Sequence, residues 1–205
     1  MIDLRLIEQN ILRDNVFENA CHHGWHTKDM SNEHWLMMII TEMAEAIQAD
    51  RHDLHAEKAA FLKDTTQALN RIQNPETFAE YCQDSFDAHL KNSFEDELAD
   101  IVIRSYDFLG LKNFDIDSWF HEHNVYKDLE DLVKAYMRLP VTDFMYLLTK
   151  HFGDSSGNQH TCNEVCIVIW LVYQYADERE IDLIWYITHK MIYNEKRPYK
   201  HKCRY

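Results

Sequence analysis

An all-α helical bundle is the fold class this 205-residue chain predicts. Three features point there. Only four Gly and three Pro interrupt the chain, while 46% of it is hydrophobic. Long stretches are rich in Leu, Ala, Glu, Lys, Met and Gln, which lose little side-chain freedom in a helix. Helix-start residues recur at intervals fitting ten to twenty helical positions, and no convincing strand pattern is present. The length suits one domain.

The elements follow in order. Helical periodicity predicts a first helix from Asp3 to His22, closed by His23-Gly24-Trp25. Ser31 is placed to cap a second, running through Arg51. A third is expected from Leu54 to Ile72, stopping at Asn74-Pro75, and a short fourth from Glu76 to Leu90. Ser93 and Asp96 have capping spacing and open a fifth, which Gly110 is expected to close. Helical segments are expected over Ser118–Arg138 and Thr142–His151, on either side of the helix-breaking Pro140. Gly153–Gly157 reads as a loop. Thr161-Cys-Asn-Glu164 reads as a capping box opening an apolar helix to Asp177. A last helix is expected from Glu180 to Asn194, ended by Arg197-Pro198.

The formal net charge of −14 argues against a binder of nucleic acid polymers, which needs a broad basic face. No run approaches a membrane span, and Met1-Ile-Asp-Leu-Arg5 lacks the form of a signal peptide. The five cysteines are odd in number and scattered, and Cys162 and Cys166 lack zinc-knuckle spacing. They are expected to be free thiols in a reducing cytoplasm.

The chemistry concentrates in two phrases. Glu42-Met-Ala-Glu45 and Glu97-Leu-Ala-Asp100 each place two acids one helical turn apart on one face, among apolar residues. A carboxylate turned toward a packed interior is costly unless a positive charge compensates it. Two such pairs facing each other make a divalent cation the natural remedy. Oxygen-only donors suit Mg²⁺ or Mn²⁺ rather than zinc. A single Glu-x-x-Glu in an acidic helical protein is usually a solvated face; two in apolar settings shift the balance. A di-iron carboxylate bundle would need Glu-x-x-His, and none of the thirteen His has a Glu three residues earlier. His22, His23, His26, His52 and His55 are read as surface residues first and as a transition-metal site second.

The C-terminus is unusual in another way. Five Lys or Arg lie between positions 196 and 204. They form either a frayed tail or a clamp for phosphate oxygens beside a carboxylate-held cation. There is also an internal echo: Glu97–Tyr106 resembles Glu164–Tyr173, with Ile116-Asp117 and Ile181-Asp182 at similar distances downstream. The second copy has Ile167 where the first has Asp100. Chance likeness of two apolar helices accounts for the echo nearly as well as duplication.

Glu42-x-x-Glu45, Glu97-x-x-Asp100 and Lys190…Asn194-x-x-Arg197-Pro198-Tyr199-x-His201 together resemble the MazG-like, all-α nucleoside triphosphate pyrophosphatase superfamily, which includes dCTP pyrophosphatases and dimeric dUTPases. Ala20-x-x-x-Gly24-Trp25-His26 and Thr41–Arg51 add to the likeness. It covers roughly 16–51, 93–119 and 180–205. Segments 52–92 and 120–178 match poorly, and 120–178 is expected as a helical insertion. The tail departs from the usual His-Gly-Gly-Lys, having His201-Lys-Cys-Arg204.

The resemblance implies Mg²⁺-dependent hydrolysis of a (deoxy)nucleoside triphosphate to monophosphate and pyrophosphate. It implies Glu42, Glu45, Glu97 and Asp100 as catalytic metal ligands, one of them instead serving as base. It implies Lys190, Asn194 and Arg197 on phosphate or sugar, Arg104 reaching the same site, and Trp25 and His26 meeting the base. Arg104 also reads as a structural ion-pair partner of one of the acids, and Trp25 reads equally as a core or surface residue. Relatives form homodimers or homotetramers. The competing expectation is a catalytically silent helical scaffold or regulatory protein retaining the fold.

Overall fold

A computed structural model of the chain describes residues 2–123, 130–153 and 157–199. Among them every regular element is helical: a 3₁₀ turn, Leu4–Leu6, and ten α-helices. These are α1 (Gln9–His22), α2 (Asn32–Arg51), α3 (Lys58–Leu69), α4 (Pro75–His89), α5 (Phe94–Leu111), α6 (Ile116–Glu122), α7 (Glu130–Tyr136), α8 (Val141–Lys150), α9 (Asn158–Asp177) and α10 (Leu183–Glu195).

The organising helix is α5. It packs against α1, α2, α9 and α10, which explains why residues around most of its circumference are buried, including Leu98, Ile101, Val102, Tyr106, Phe108 and Leu109. A helix apolar on nearly all sides belongs in the middle of a bundle. Helices α3 and α4 pair as a hairpin to one side, and α8 packs on α2. Helix α9 is just as buried, from Val165 to Ala176 with few breaks, so the segment expected as an insertion contributes directly to the core. The echo ends in contact: the hydroxyls of Tyr106 and Tyr173 lie 3.5 Å apart, and Tyr106 donates to Gln9, itself fully buried.

Several boundaries differ from expectation for local reasons. The first helix is broken at Ile7, whose backbone is extended, because the amides of Gln9 and Asn10 donate to the carboxylate of Asp117 and α1 starts afresh there. Helix α3 starts at Lys58, since Asp53 is left-handed and the Ala56 amide donates to Glu95. Asn74 caps α4, with Pro75 as its first residue, rather than ending α3. Gly110 lies inside α5: a Cβ there would stand 2.5 Å from that of Phe17, so the glycine lets α1 approach, and left-handed Asn113 follows the helix end. Helix α9 opens at Asn158, so Thr161 sits within its first turn and its hydroxyl donates to the Gly157 carbonyl. The expected capping box is absent; Glu164 instead pairs with His151 at 2.6 Å. Helix α10 opens at Leu183, capped by Asp182. Part of the expected Ser118–Arg138 segment (124–129) and the basic residues Lys200, Lys202 and Arg204 lie outside the described residues.

Candidate metal and nucleotide site

Local capping fixes the acids of α5. Ser93 accepts from the Asp96 amide at 3.2 Å, and the Asp96 side chain accepts from the amide of Asn92, the residue before the cap, at 3.0 Å. These bonds set the first turn of α5, where Glu95, Asp96 and Glu97 meet the positive end of the helix dipole. Across the interface, Ser31 caps α2 and the register brings Glu42 inward with Met43 and Ala46. Glu42, Glu97 and Asp100 thereby converge: one carboxylate oxygen from each lies within 4.8 Å of the others. Glu42 and Glu97 are buried and Asp100 is half-buried.

These acids form part of the wall of a cleft of about 240 Å³ between α1, α2, α5 and α10. Trp25, Arg104, Asp107, Lys91, Asn194 and Arg197 also line it. Glu45, the fourth expected ligand, lines the cleft from an exposed position on α2 and lies outside the close cluster.

Two cations already touch the acids. Arg104 donates from Nε to Glu42 Oε1 at 2.9 Å, and its guanidinium lies 5.8 Å from the centre of the Trp25 ring. Buried Lys190 places Nζ 2.7 Å from both Asp96 Oδ2 and Asp100 Oδ2. Lys190, expected on substrate phosphate, is thus engaged by two carboxylates. Arg104 has the structural pairing that was its alternative reading.

Glu97 receives no such help. Its buried Oε2 has no hydrogen-bond partner. Burial, then the charges of Asp100 and Asp96, push its carboxyl up to about 9. Burial and Asp100 push Glu42 up to about 7 against the opposing pull of Arg104. Asp96 is raised to about 6 by burial, with Lys190 working the other way. Three converging carboxylates, Glu97 among them with an orphaned buried oxygen, could hold a metal ion. Glu42, Glu97 and Asp100 are the residues that would hold it.

The remaining expected residues divide. Trp25, Asn194 and Arg197 line the cleft. The ring nitrogens of His23 lie 2.8 Å from the Asn19 carbonyl oxygen and 3.0 Å from that of Arg197, fastening the segment after α10 to the end of α1. The Tyr199 ring occupies the space beside Gly24 that any Cβ would fill. His26 is not among the lining residues. It packs against Phe17 and Trp35 and meets Asp107 Oδ1 at 2.6 Å through Nε2. Sequence reasoning missed Lys91 and Asp107, and gave Asp96 only a capping role, without its contact to Lys190. The spacing of Asp107, seven residues after Asp100 and ten after Glu97, puts it on their helical face and could have marked it.

No family model, curated protein or solved structure matches the chain. Among the described residues, no helix is long and apolar enough to cross a membrane.

Proposed function

We propose that the cleft hydrolyses a nucleoside triphosphate to its monophosphate and pyrophosphate with Mg²⁺. The observation that carries this reading is the convergence of Glu42, Glu97 and Asp100 within 4.8 Å in a cleft that also holds Arg197, Lys91 and Asn194. A bound Mg²⁺ supplies the positive charge that draws the triphosphate into an acidic cleft and stabilises charge developing in the transition state. Arg197 offers a planar fork of donors for phosphate oxygens, and Lys91 a point charge. Asn194, one turn before Arg197, adds a neutral amide donor. Glu45 is left free to orient the attacking water and accept its proton. Trp25 presents a ring on which a base can stack.

The resemblance of the ordered acid and tail motifs to MazG-like pyrophosphatases supports the same reading. The ion pairs Arg104–Glu42 and Lys190–Asp100 favour a second one, a silent protein whose acids are neutralised from within. A panel of nucleotides with Mg²⁺, scored for monophosphate and pyrophosphate, separates the two. Pyrophosphate release from any of them supports hydrolysis, and none from the whole panel supports the silent protein.

A further inference from the structure

Glu97, Asp100, Arg104 and Asp107 follow one another at three-, four- and three-residue steps along α5. That spacing keeps all four on one face, and all four line the cleft. At 1.5 Å per residue, Asp107 lies about 10 Å along the axis from Asp100. A triphosphate held at the Glu97–Asp100 end would therefore bring its nucleoside toward Asp107.

Asp107 is held for such a role. Its side chain is only 4% exposed, and Oδ1 accepts from His26 Nε2 at 2.6 Å. The His26 ring is fixed between Phe17, at 4.9 Å, and Trp35, at 4.7 Å. Its Nδ1 is buried without a partner, so Asp107 is the group that ring is committed to. This fixes one carboxylate oxygen and leaves Oδ2 to accept from whatever fills the cleft. A buried acceptor of this kind discriminates strongly, because a ligand lacking the matching donor leaves it unsatisfied.

We propose that Asp107, oriented by His26, is the specificity-determining acceptor for an N–H or O–H donor on the nucleoside, either a base amino group or a sugar hydroxyl. Asp107 is the group that touches substrate, and His26 is its positioning residue. This rests on the nucleotide reading of the cleft.

The test uses the full chain with Mg²⁺ and nucleotide pairs differing by one donor. Deoxyguanosine against deoxyinosine triphosphate removes the amino group alone, and a deoxy against a dideoxynucleotide removes the hydroxyl. In the wild type one pair should differ by about tenfold or more in kcat/KM, and Asp107→Ala should bring that ratio close to one. His26→Phe keeps the aromatic stack but not the hydrogen bond. It should raise KM for the preferred member more than it lowers kcat, with His26→Gln recovering part of the loss. The His26 variants carry the test if circular dichroism shows Asp107→Ala unfolded. Ratios unchanged in a folded, active variant would overturn the role of Asp107 while leaving the hydrolytic reading intact. A wild type that releases pyrophosphate from no nucleotide would overturn both.

Discussion

Lys190 Nζ stands 2.7 Å from Asp100 Oδ2, so one member of the carboxylate cluster already carries a cation supplied by α10. The same Nζ donates to Asp96 Oδ2 at 2.7 Å, and both Lys190 and Asp96 are buried. Removing one partner from such a group leaves uncompensated charge in the interior. Lys190→Met should therefore destabilise the fold by about 3–5 kcal/mol in urea titrations. Mg²⁺ should restore part of the lost Tm, because the freed Asp100 oxygen becomes a further donor for the cation. That recovery should vanish in the double variant Lys190→Met, Asp100→Asn.

The pH dependence of the metal-free protein should carry the mark of Glu97. Its carboxyl is raised from 4.5 to about 9, first by burial, then by Asp100 and Asp96. The folded state therefore binds this proton more tightly than the unfolded chain does. The resulting stabilisation is complete below about pH 4.5 and is lost as pH rises through about 9. Glu97→Gln cannot ionise, so its Tm should fall less steeply than wild type between about pH 6 and 9. Parallel Tm profiles would contradict the raised value. Mg²⁺ binding requires the ionised carboxylates, so affinity should rise over the same range with proton release detectable by calorimetry in buffers of different ionisation heat.

Much of this was legible in the sequence, and what was not follows a physical pattern. Ser31, Ser93 and the two acid pairs act through local spacing, and α2 and α5 form where those residues predict. Lys190–Asp96 and His26–Asp107 join residues 94 and 81 positions apart, and no local periodicity encodes such contacts. Helix ends were misplaced where distant groups decide them. Asp117 caps α1 and Glu95 takes the Ala56 amide. Left-handed Asp53, Asn92, Asn113 and Glu180 follow helix ends where glycine would be the usual signal.

Gly110 tests the packing of the central helix. Its missing Cβ would stand 2.5 Å from Phe17 Cβ on α1. Gly110→Ala should cost about 1–3 kcal/mol despite the better helix propensity of alanine. A stability equal to or above wild type would mean that α1 and α5 can separate without penalty.

Glu164 separates the two halves of the sequence echo. It pairs with His151 on the partly exposed face of α9 and is not among the residues lining the cleft. Glu164→Gln should change stability by about 1 kcal/mol or less and leave pyrophosphate release near wild type. A large loss of turnover in the folded variant would reveal a second working site.

Arg197 is the cleft cation held by the segment after α10, through the contact of its carbonyl with His23 and the seat of Tyr199 beside Gly24. Ending the chain after Glu195 should leave the helical core intact by circular dichroism and the cation still bound. It should reduce kcat/KM by about 2–4 kcal/mol of transition-state stabilisation, the value of one charged contact in a dry site. Unchanged kinetics would make the segment a passive tail.

Whether Glu42, Glu97 and Asp100 hold the cation on which nucleotide hydrolysis depends is decided by following products from wild type and Glu97→Gln across a Mg²⁺ titration. The expected result is one pyrophosphate per monophosphate, strict dependence on Mg²⁺ in the wild type, and a loss of about a hundredfold or more in the folded variant. Release that persists without a divalent cation, or that survives Glu97→Gln undiminished, would contradict it.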